Sequence, residues 1–398
     1  MNCLMFGLAC SQQQFEEYIS KTGNPYSVAH YLFETEFIKE FQKHFHINHT
    51  YILQIPNYSI KKSLIKSYSD KVTSETDTLQ LGYINFPGIK FLTLFISTCL
   101  RIKKYKKTKK NFFILSTINY FPVALATWLM SRIYKIKNIV IFTDCSVGYA
   151  YDKSDLHIFS KIIRQIYKKI ISFLENHYDS YILFSEQMNE IVNKQQKPFC
   201  VMEGFFNPYG LDLSIEEKFE KKILLYAGSL IENFGIEKII KAFNKINDPE
   251  YELWIAGDGP YRQELQKLST NNSNIKFLGY VEHKELFRIE KKAFIVINAR
   301  DPKLPYTKYS FPSKTFEYLA SGTPFISTHL LCYPPEYEEH IFFIDSNSSD
   351  QIVRKIQEIQ EFDADTLQSI GLNNRKFILD EKNSYIQVNK IVQFLNSL

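Results

Sequence analysis

The second half of the chain alternates between short apolar runs and amphipathic segments, and this alternation restricts the fold more than any other feature. Runs such as KKILLYAG (221–228), YELWIAG (251–257) and FIVINAR (294–300) are typical of strands. Segments such as IEKIIKAFNKI (236–246) have apolar residues at helical spacing. Because helices of this length connect parallel strands, the pattern predicts an α/β fold with a doubly wound sheet.

The first half repeats this scheme less clearly. NFFILST (111–117), NIVIFTD (138–144) and DSYILFSE (179–186) are expected strands, and a helical segment over 123–134 separates the first two. Pro208 and Gly210 interrupt the periodicity between the halves. The chain therefore contains two similar α/β halves joined near residues 204–214.

Composition favours a folded protein of the cytoplasm. The six cysteines are scattered without metal-ligand spacing, which indicates reduced thiols. The start of the chain, MNCLMFGLAC, indicates a first strand rather than a signal peptide. The apolar run over residues 91–100 has half of the ~20 residues that a membrane-spanning helix needs. We expect no helix that crosses a membrane.

One block, RIKKYKKTKK (101–110), is strongly basic and has three interpretations. Charge runs are most often solvated surface. Together with the apolar run before it, the block can instead bind an anionic membrane surface. Nucleic-acid binding is disfavoured because Tyr105 is the only aromatic residue in the block.

A short helix within YSFPSKTFEYLASGTP (309–324) has the most informative polar face. Ser310 is a plausible N-cap, and Gly322 lies where a C-cap belongs. Ser313, Lys314 and Glu317 then share one face. The helix amides and Lys314 suit a diphosphate, and Glu317 can accept hydrogen bonds from two ribose hydroxyls. The alternative is an exposed Lys314–Glu317 pair without a ligand.

The motifs FPSKTFEYLASGTPFI, YAGSL, IAGDGP and NIKFLGYV together resemble the group 1, family 4 nucleotide-sugar glycosyltransferases with the GT-B fold. The resemblance implies two Rossmann-like domains that face each other across a cleft. It places an acceptor-binding domain over residues 1–205 and a nucleotide-sugar domain over 206–380. The helix over 381–398 is expected to return to the first domain.

The resemblance also assigns residues to the donor site. It implies that Glu317 holds the ribose, that Gly228 and Ser229 approach the diphosphate, and that Gly279, Tyr280 and Val281 read the base. Further donor-site candidates occur in the turns and the helix of the same half, namely Gly257, Lys308, Tyr309 and Ser313.

Two positions depart from the family pattern. Tyr309 stands where many members have a second glutamate that contacts the sugar, and Asn233 and Phe234 stand where a lysine is common. Arg300, Lys308 and Lys314 are possible substitutes for that lost charge. We expect at least one of these three residues to stabilise the departing diphosphate.

Acceptor-side candidates lie in the first half. Asp144 ends a predicted strand, where it can orient or deprotonate an acceptor hydroxyl, or simply cap the next element. Glu203 lies in VMEGF (201–205), which resembles a family segment that leads into the linker. His30 and Tyr31 are candidates by location alone.

The expected function is transfer of a sugar from a UDP- or GDP-linked donor to an acceptor hydroxyl. The resemblance implies retention of anomeric configuration and no obligatory metal or other cofactor. The basic and apolar block suits a lipid-linked or glycan acceptor of bacterial surface polysaccharide synthesis, at the inner face of the cell membrane. Two alternatives stay open: a non-catalytic nucleotide-binding partner subunit, and a nucleotide-sugar epimerase.

Overall fold

The computed structural model describes residues 1–22, 28–52, 63–65, 68–70, 72–73, 76–86, 88–144, 158–246 and 248–398. The chain divides into two compact units. Unit 1 contains residues 1–204 and 387–398, and unit 2 contains residues 205–386. Most of the last helix therefore belongs to the unit that begins the chain.

Unit 1 is built on an eight-stranded sheet with the order β10-β9-β8-β7-β1-β2-β5-β4. All neighbouring pairs are parallel except β4 with β5. Strands β3 and β6 form a separate antiparallel pair. The strands are β1 Asn2–Gly7, β2 His46–Tyr51, β3 Ser63–Ile65, β4 Tyr68–Asp70, β5 Asp77–Gln80, β6 Tyr83–Asn85, β7 Phe112–Ser116, β8 Asn138–Phe142, β9 Ser180–Leu183 and β10 Phe199–Val201.

The helices of unit 1 are α1 Gln12–Thr22, α2 Val28–Phe41, α3 Ile89–Thr108, α4 Phe121–Tyr134, α5 Ile158–Glu175, α6 Met188–Val192 and most of the last helix, α13 Ser384–Ser397. Helix α3 packs along α4, and its buried side chains recur at helical spacing. The last helix contributes buried Val388 and Ile391.

Unit 2 has a six-stranded parallel sheet with the order β13-β12-β11-β14-β15-β16. Its strands are β11 Lys222–Ala227, β12 Tyr251–Ala256, β13 Ile275–Gly279, β14 Ile295–Asn298, β15 Phe325–Thr328 and β16 Phe342–Ile344. Its helices are α7 Ile236–Ile246, α8 Arg262–Ser269, α9 His283–Lys292, α10 Lys314–Ser321, α11 Ser349–Gln360 and α12 Ala364–Glu381.

Both faces of the unit 2 sheet are covered by helices. Along β11, Ile223 and Leu225 join one apolar cluster, while Leu224 and Tyr226 join the other. The first cluster includes side chains of α9, α10 and α12, and the second includes side chains of α7, α8 and α11. This alternation explains why the strands are almost wholly apolar in sequence.

The predicted α/β, two-domain fold is confirmed, and so are the strands expected from the apolar runs. The start of the helix around Glu317 was predicted wrongly. Ser313 is the N-cap instead of Ser310, and a short 3-10 helix, Pro305–Lys308, precedes it. Pro312 favours extended backbone in the residue before it, which places the helix start after the proline. Gly322 is the left-handed C-cap, as expected, with φ of 75°.

Candidate functional site

The candidate site lies at the carboxyl ends of the unit 2 strands. From β11 the chain continues through β12 and β13 on one side, whereas β14, β15 and β16 extend the sheet on the other. The strand order therefore reverses between β11 and β14, and doubly wound sheets bind ligands at such a reversal. Gly228 and Ser229 follow β11, and Arg300 follows β14.

The turns after the strands on one side of this reversal pack backbone against backbone. The amide of Gly228 donates to the carbonyl of Ala256 (3.0 Å), and the amide of Gly257 donates to the carbonyl of Gly279 (2.7 Å). Gly257 has φ of +130°, and a Cβ atom there would lie 1.9 Å from the carbonyl oxygen of Gly228. Only glycine fits at this position.

The loop after β11 also contacts the end of β14. A Cβ atom on Gly235 would lie 1.7 Å from the carbonyl oxygen of Ala299. The Arg300 guanidinium lies 4.6 Å from the centroid of the Phe234 ring and donates to the Ser310 carbonyl (3.3 Å). Neither contact neutralises the charge of Arg300, so its guanidinium remains a cation at the strand reversal.

Tyr318 fixes α10 against the last residue of β11. Its hydroxyl donates to the carbonyl of Ala227 (3.1 Å) and accepts from the amide of the same residue (2.8 Å). The side chain is fully buried. Because Glu317 directly precedes Tyr318 in the chain, this anchor also restrains the position of the Glu317 backbone.

The polar face of α10 belongs to a cluster of four ionisable side chains. Lys314 forms an ion pair with Glu317 and a second one with Glu290 of α9 (3.3 Å). His283 Nε2 lies 3.3 Å from Glu317 Oε1. The exposed fraction is 23% for the Glu317 side chain and 0% for that of Glu290. The Lys314–Glu317 pair of the alternative interpretation thus exists, but within a partly buried cluster.

The cluster shifts the pKa of each member. Burial opposes the charge of Glu317, but the ammonium of Lys314 and the hydrogen bond with His283 outweigh it and lower the pKa of Glu317 to about 2. Burial raises the pKa of Glu290 to about 7. Burial acts to lower the pKa of Lys314, but its two carboxylates raise it above the usual value. At neutral pH, Glu317 is ionised and accepts hydrogen bonds only.

The other candidates of unit 2 are distributed over the same turns. Ser229 and Ser313 are exposed, and so is Lys308 at the end of the 3-10 helix. Tyr280 is 80% exposed, whereas Val281 packs against the core. Tyr309 is half-buried, and its amide donates to the Tyr306 carbonyl (3.0 Å).

Sequence reasoning missed Glu290, His283 and Tyr318. The position of Glu290 was readable, because it lies three residues after buried Phe287 and therefore faces the core side of α9. Glu290 and Lys314 lie on different helices and are 24 positions apart in the sequence, so no local pattern reveals their pairing.

The acceptor-side candidates lie in unit 1. Asp144 is exposed, two residues beyond β8, and Glu203 is buried. His30 Nε2 lies 3.4 Å from Glu34 Oε2, and Tyr31 stacks on Phe15 with ring centroids 3.7 Å apart. These contacts tie His30 and Tyr31 to neighbouring side chains.

Comparison with known proteins finds a family model that matches residues of unit 2. Residues 213–377 match the family model described as glycosyl transferases group 1. The matched residues all lie within unit 2. The resemblance drawn from the motifs is thereby confirmed, while the narrower assignment to family 4 stays a prediction.

Two curated relatives match parts of the chain. An uncharacterized glycosyltransferase of Methanocaldococcus jannaschii is 28% identical over 157 residues, which cover 35% of this chain and 39% of the relative. The lipopolysaccharide core biosynthesis glycosyltransferase LpsE of Rhizobium meliloti is 26% identical over 109 residues, or 27% of this chain and 29% of LpsE. The match thus spans well under half of each relative.

Solved structures show the same fold over the whole chain. Anabaena HepE, solved in complex with UDP, aligns with a TM-score of 0.67 at 12% identity and covers 100% of both chains. Sucrose-phosphate synthase from Thermosynechococcus elongatus aligns with a TM-score of 0.66 at 15% identity, covering 100% of this chain and 99% of the synthase. The GT-B fold is thereby confirmed. At these identities the likeness concerns the fold alone.

Proposed function

We propose that this protein is a glycosyltransferase that transfers a hexose from a nucleoside-diphosphate donor to an acceptor hydroxyl. Unit 2 binds the donor and unit 1 binds the acceptor. The observation that carries the proposal is Glu317, an ionised and partly exposed carboxylate on a helix anchored beside the strand reversal.

The chemistry of the donor follows from the charges around this carboxylate. Glu317 accepts hydrogen bonds from the ribose hydroxyls, and the turn at Gly228 brings backbone close to the diphosphate. Arg300 supplies positive charge for the departing diphosphate, and Lys314 adds to it. We favour UDP over GDP because the structural neighbour HepE was solved with UDP.

The chemical step is proposed to retain the anomeric configuration and to need no obligatory metal. The guanidinium of Arg300 and the amides at the start of α10 can stabilise the diphosphate electrostatically. Asp144, exposed after β8, is proposed to orient the acceptor hydroxyl or take its proton. Proton NMR of the product's anomeric signal tests the stereochemistry.

Glu317→Ala tests the donor site. A thermal-shift and calorimetric panel of UDP, GDP and their sugar conjugates should show stabilisation of the unsubstituted protein by one base series. We expect the substitution to weaken that binding by at least about tenfold, because it removes hydrogen bonds to a charged group.

Glu264→Ala is the matched control. Glu264 lies on α8 of the same unit, is 55% exposed and pairs only with Lys267 among the described residues. Its loss should leave nucleotide affinity unchanged. Equal nucleotide affinity in Glu317→Ala and Glu264→Ala would show that the ribose is placed wrongly.

The acceptor is proposed to be lipid-linked, because α3 has an exposed face that combines apolar and basic residues. Ile89, Leu92, Ile96 and Leu100 are exposed at helical spacing, with Leu92 and Leu100 at 59%. Lys103, Lys104 and Lys107 continue this face and are exposed. No helix among the described residues is long and apolar enough to cross a membrane.

Arg101 takes no part in this face, since its guanidinium donates to Thr50 Oγ1 (3.0 Å) and to Asn48. The α3 face therefore consists of an apolar stripe followed by lysines. Such a face suits binding to the anionic inner surface of the cell membrane. The lipopolysaccharide function of LpsE supports a surface-polysaccharide acceptor.

A vesicle experiment tests this contact. Replacement of Lys103, Lys104 and Lys107 by glutamine should weaken sedimentation with vesicles of equal phosphatidylglycerol and phosphatidylcholine, by about 1 kcal/mol per lysine at low salt. The control replaces the exposed unit 2 lysines Lys238, Lys284 and Lys376. Equal sedimentation of the two triple variants would rule out α3 as the membrane contact.

Tyr309 favours one alternative, a nucleotide-binding partner without transferase activity. The tyrosine stands where the family pattern has a glutamate that contacts the sugar. Donor turnover distinguishes the two functions. Tight nucleotide binding without transfer or donor hydrolysis, in the presence of membranes that contain acceptor, would favour the partner subunit.

A further inference from the structure

Glu290 is the most deeply buried member of the α9–α10 cluster, and the donor chemistry above does not use it. Its side chain is 0% exposed, and Oε1 lies 3.3 Å from the ammonium of Lys314. Oε2 has no hydrogen-bond partner among the described residues. An unsatisfied buried carboxylate oxygen is costly, so its retention here calls for an explanation.

The position of Lys314 supplies the explanation. Its ammonium lies between two carboxylates, Glu317 toward the solvent and Glu290 toward the core. A ribose that donates hydrogen bonds to Glu317 competes with Lys314 for Oε2 and with His283 for Oε1. For the ribose to gain these bonds, the ammonium needs a second acceptor at close range.

We propose that Glu290 is a positioning residue of the nucleotide-sugar site, which receives the ammonium of Lys314 when ribose hydroxyls take its place on Glu317. The inference rests on the proposed function. The unpartnered Oε2 is the acceptor that the displaced ammonium uses. Glu290 acts through Lys314 and does not touch the donor.

This role makes nucleotide binding depend on pH. The groups that face Glu290 are His283 on its own helix and Lys314, Glu317 and Tyr318 on α10. A protonated Glu290 attracts the ammonium much less than its carboxylate does, so Lys314 stays on Glu317 and competes with the ribose. Because burial raises the pKa of Glu290 toward neutrality, affinity should increase as the pH rises from 6 to 8.

His283 can contribute a slope of the same sign, because it also loses a proton as the pH rises and then competes less for Glu317. The experiment therefore compares two variants. Glu290→Gln removes the ionisable group at nearly constant volume, and His283→Asn removes the imidazole. Glu285→Gln, an exposed carboxylate of α9 paired with Arg288, is the control.

Calorimetric titrations with UDP-glucose and GDP-mannose at pH 6, 7 and 8 provide the measurement. The diphosphate of these conjugates lacks the terminal phosphate group that titrates near pH 6. We expect affinity to increase about tenfold from pH 6 to 8 in the unsubstituted protein, in His283→Asn and in Glu285→Gln. In Glu290→Gln the increase should shrink to the part that His283 contributes, and the affinity at pH 8 should stay close to the low-pH value.

Two results would overturn the inference. One is a pH-independent affinity in the unsubstituted protein, which needs no variant to fold. The other is the full pH slope in Glu290→Gln. If Glu317→Ala loses nucleotide binding while Glu290→Gln behaves as the unsubstituted protein, the donor site stands and only the role of Glu290 is wrong. If neither conjugate nor free UDP or GDP binds, the proposed function fails as well.

Discussion

Glu34 in unit 1 and Glu317 in unit 2 are both hydrogen-bonded carboxylates, but their surroundings differ. In unit 1, Glu34 is fully buried, accepts from the amide of Leu8 (2.8 and 3.0 Å) and contacts His49 Nε2 (3.0 Å). A Cβ atom on Gly7 would lie 1.6 Å from Glu34 Oε1. In unit 2, Glu317 is partly exposed, and its hydrogen-bond partners among the described residues are the side chains of Lys314 and His283.

The difference separates a structural carboxylate from one that can bind a ligand. Glu34 uses its oxygens on a backbone amide and two histidines, and no solvent reaches it. Glu317 keeps a solvent-facing fraction, and its partners Lys314 and His283 are themselves partly exposed. The same kind of ionised group therefore stabilises the fold in one unit and remains available for binding in the other.

The largest expected effect is that of Glu34→Ala. The substitution leaves His49 and the Leu8 amide without their acceptor, so unit 1 should lose about 3–5 kcal/mol of stability. Glu317→Ala should cost unit 2 about 1 kcal/mol or less, because the Glu317 ion pairs are partly solvated.

Tryptophan fluorescence during urea unfolding separates the units, because Trp128 lies in unit 1 and Trp254 in unit 2. A Trp254→Phe background reports on unit 1, and a Trp128→Phe background reports on unit 2. Equal losses of unfolding free energy in Glu34→Ala and Glu317→Ala would contradict the distinction between a structural and a ligand-binding carboxylate.

Glycine substitutions give an intermediate effect. Gly257→Ala in unit 2 introduces a Cβ atom against the Gly228 carbonyl and strains a residue with positive φ, for an expected cost of about 2–3 kcal/mol. Gly88→Ala in unit 1 is the control, because its φ is +79° but nothing lies within 4 Å of the added Cβ. It should cost about 1 kcal/mol, the backbone penalty alone. The same unfolding assay measures both losses of stability. Equal losses in Gly257→Ala and Gly88→Ala would show that the close contact at Gly257 adds nothing to the backbone penalty.

A change of pH should alter stability less than the Glu34→Ala and Gly257→Ala substitutions do. The direction of the change should differ between the two units. Folding raises the pKa of Glu290 from 4.5 to about 7, so its contribution is fully present below pH 4.5 and is lost as the pH rises through 7. The raised pKa of His283 acts in the same direction. Unit 2 should therefore lose about 1–2 kcal/mol between pH 5 and 7.

The contribution of Glu34 to stability changes with pH in the opposite direction, because the pKa of Glu34 lies well below the ordinary 4.5 in the folded protein. Its contribution is present above pH 4.5 and is lost as the pH falls below that value, so Glu34 adds no slope between pH 5 and 7. Urea unfolding of both single-tryptophan proteins at pH 5, 6 and 7 measures the difference. A rise in unit 2 stability over this range would contradict the assignment.

Much of unit 2 was readable from the sequence, because apolar runs and helical spacing record burial directly. The strands β11, β12 and β14 and the glycine C-cap of α10, Gly322, follow from local rules. The grouping of Lys314 with Glu317 also follows from helical spacing.

The remainder depends on contacts between distant segments. Glu290 and His283 reach Lys314 and Glu317 only after α9 packs beside α10. Glu34 looks like an ordinary helix-surface residue until Gly7 and His49 enclose it. In unit 1 the helices α1 and α2 and the short strands of β3 to β6 have weak periodicity, so sequence reasoning did not define them.

The assignment of residues 387–398 to unit 1 has a consequence for chain length. Val388, Ile391 and Val392 of α13 are buried, although the helix begins at Ser384, within unit 2. Removal of residues 387–398 would therefore harm unit 1 and leave all residues of unit 2 in place. During synthesis, unit 1 stays incomplete until the ribosome has added residues 387–398.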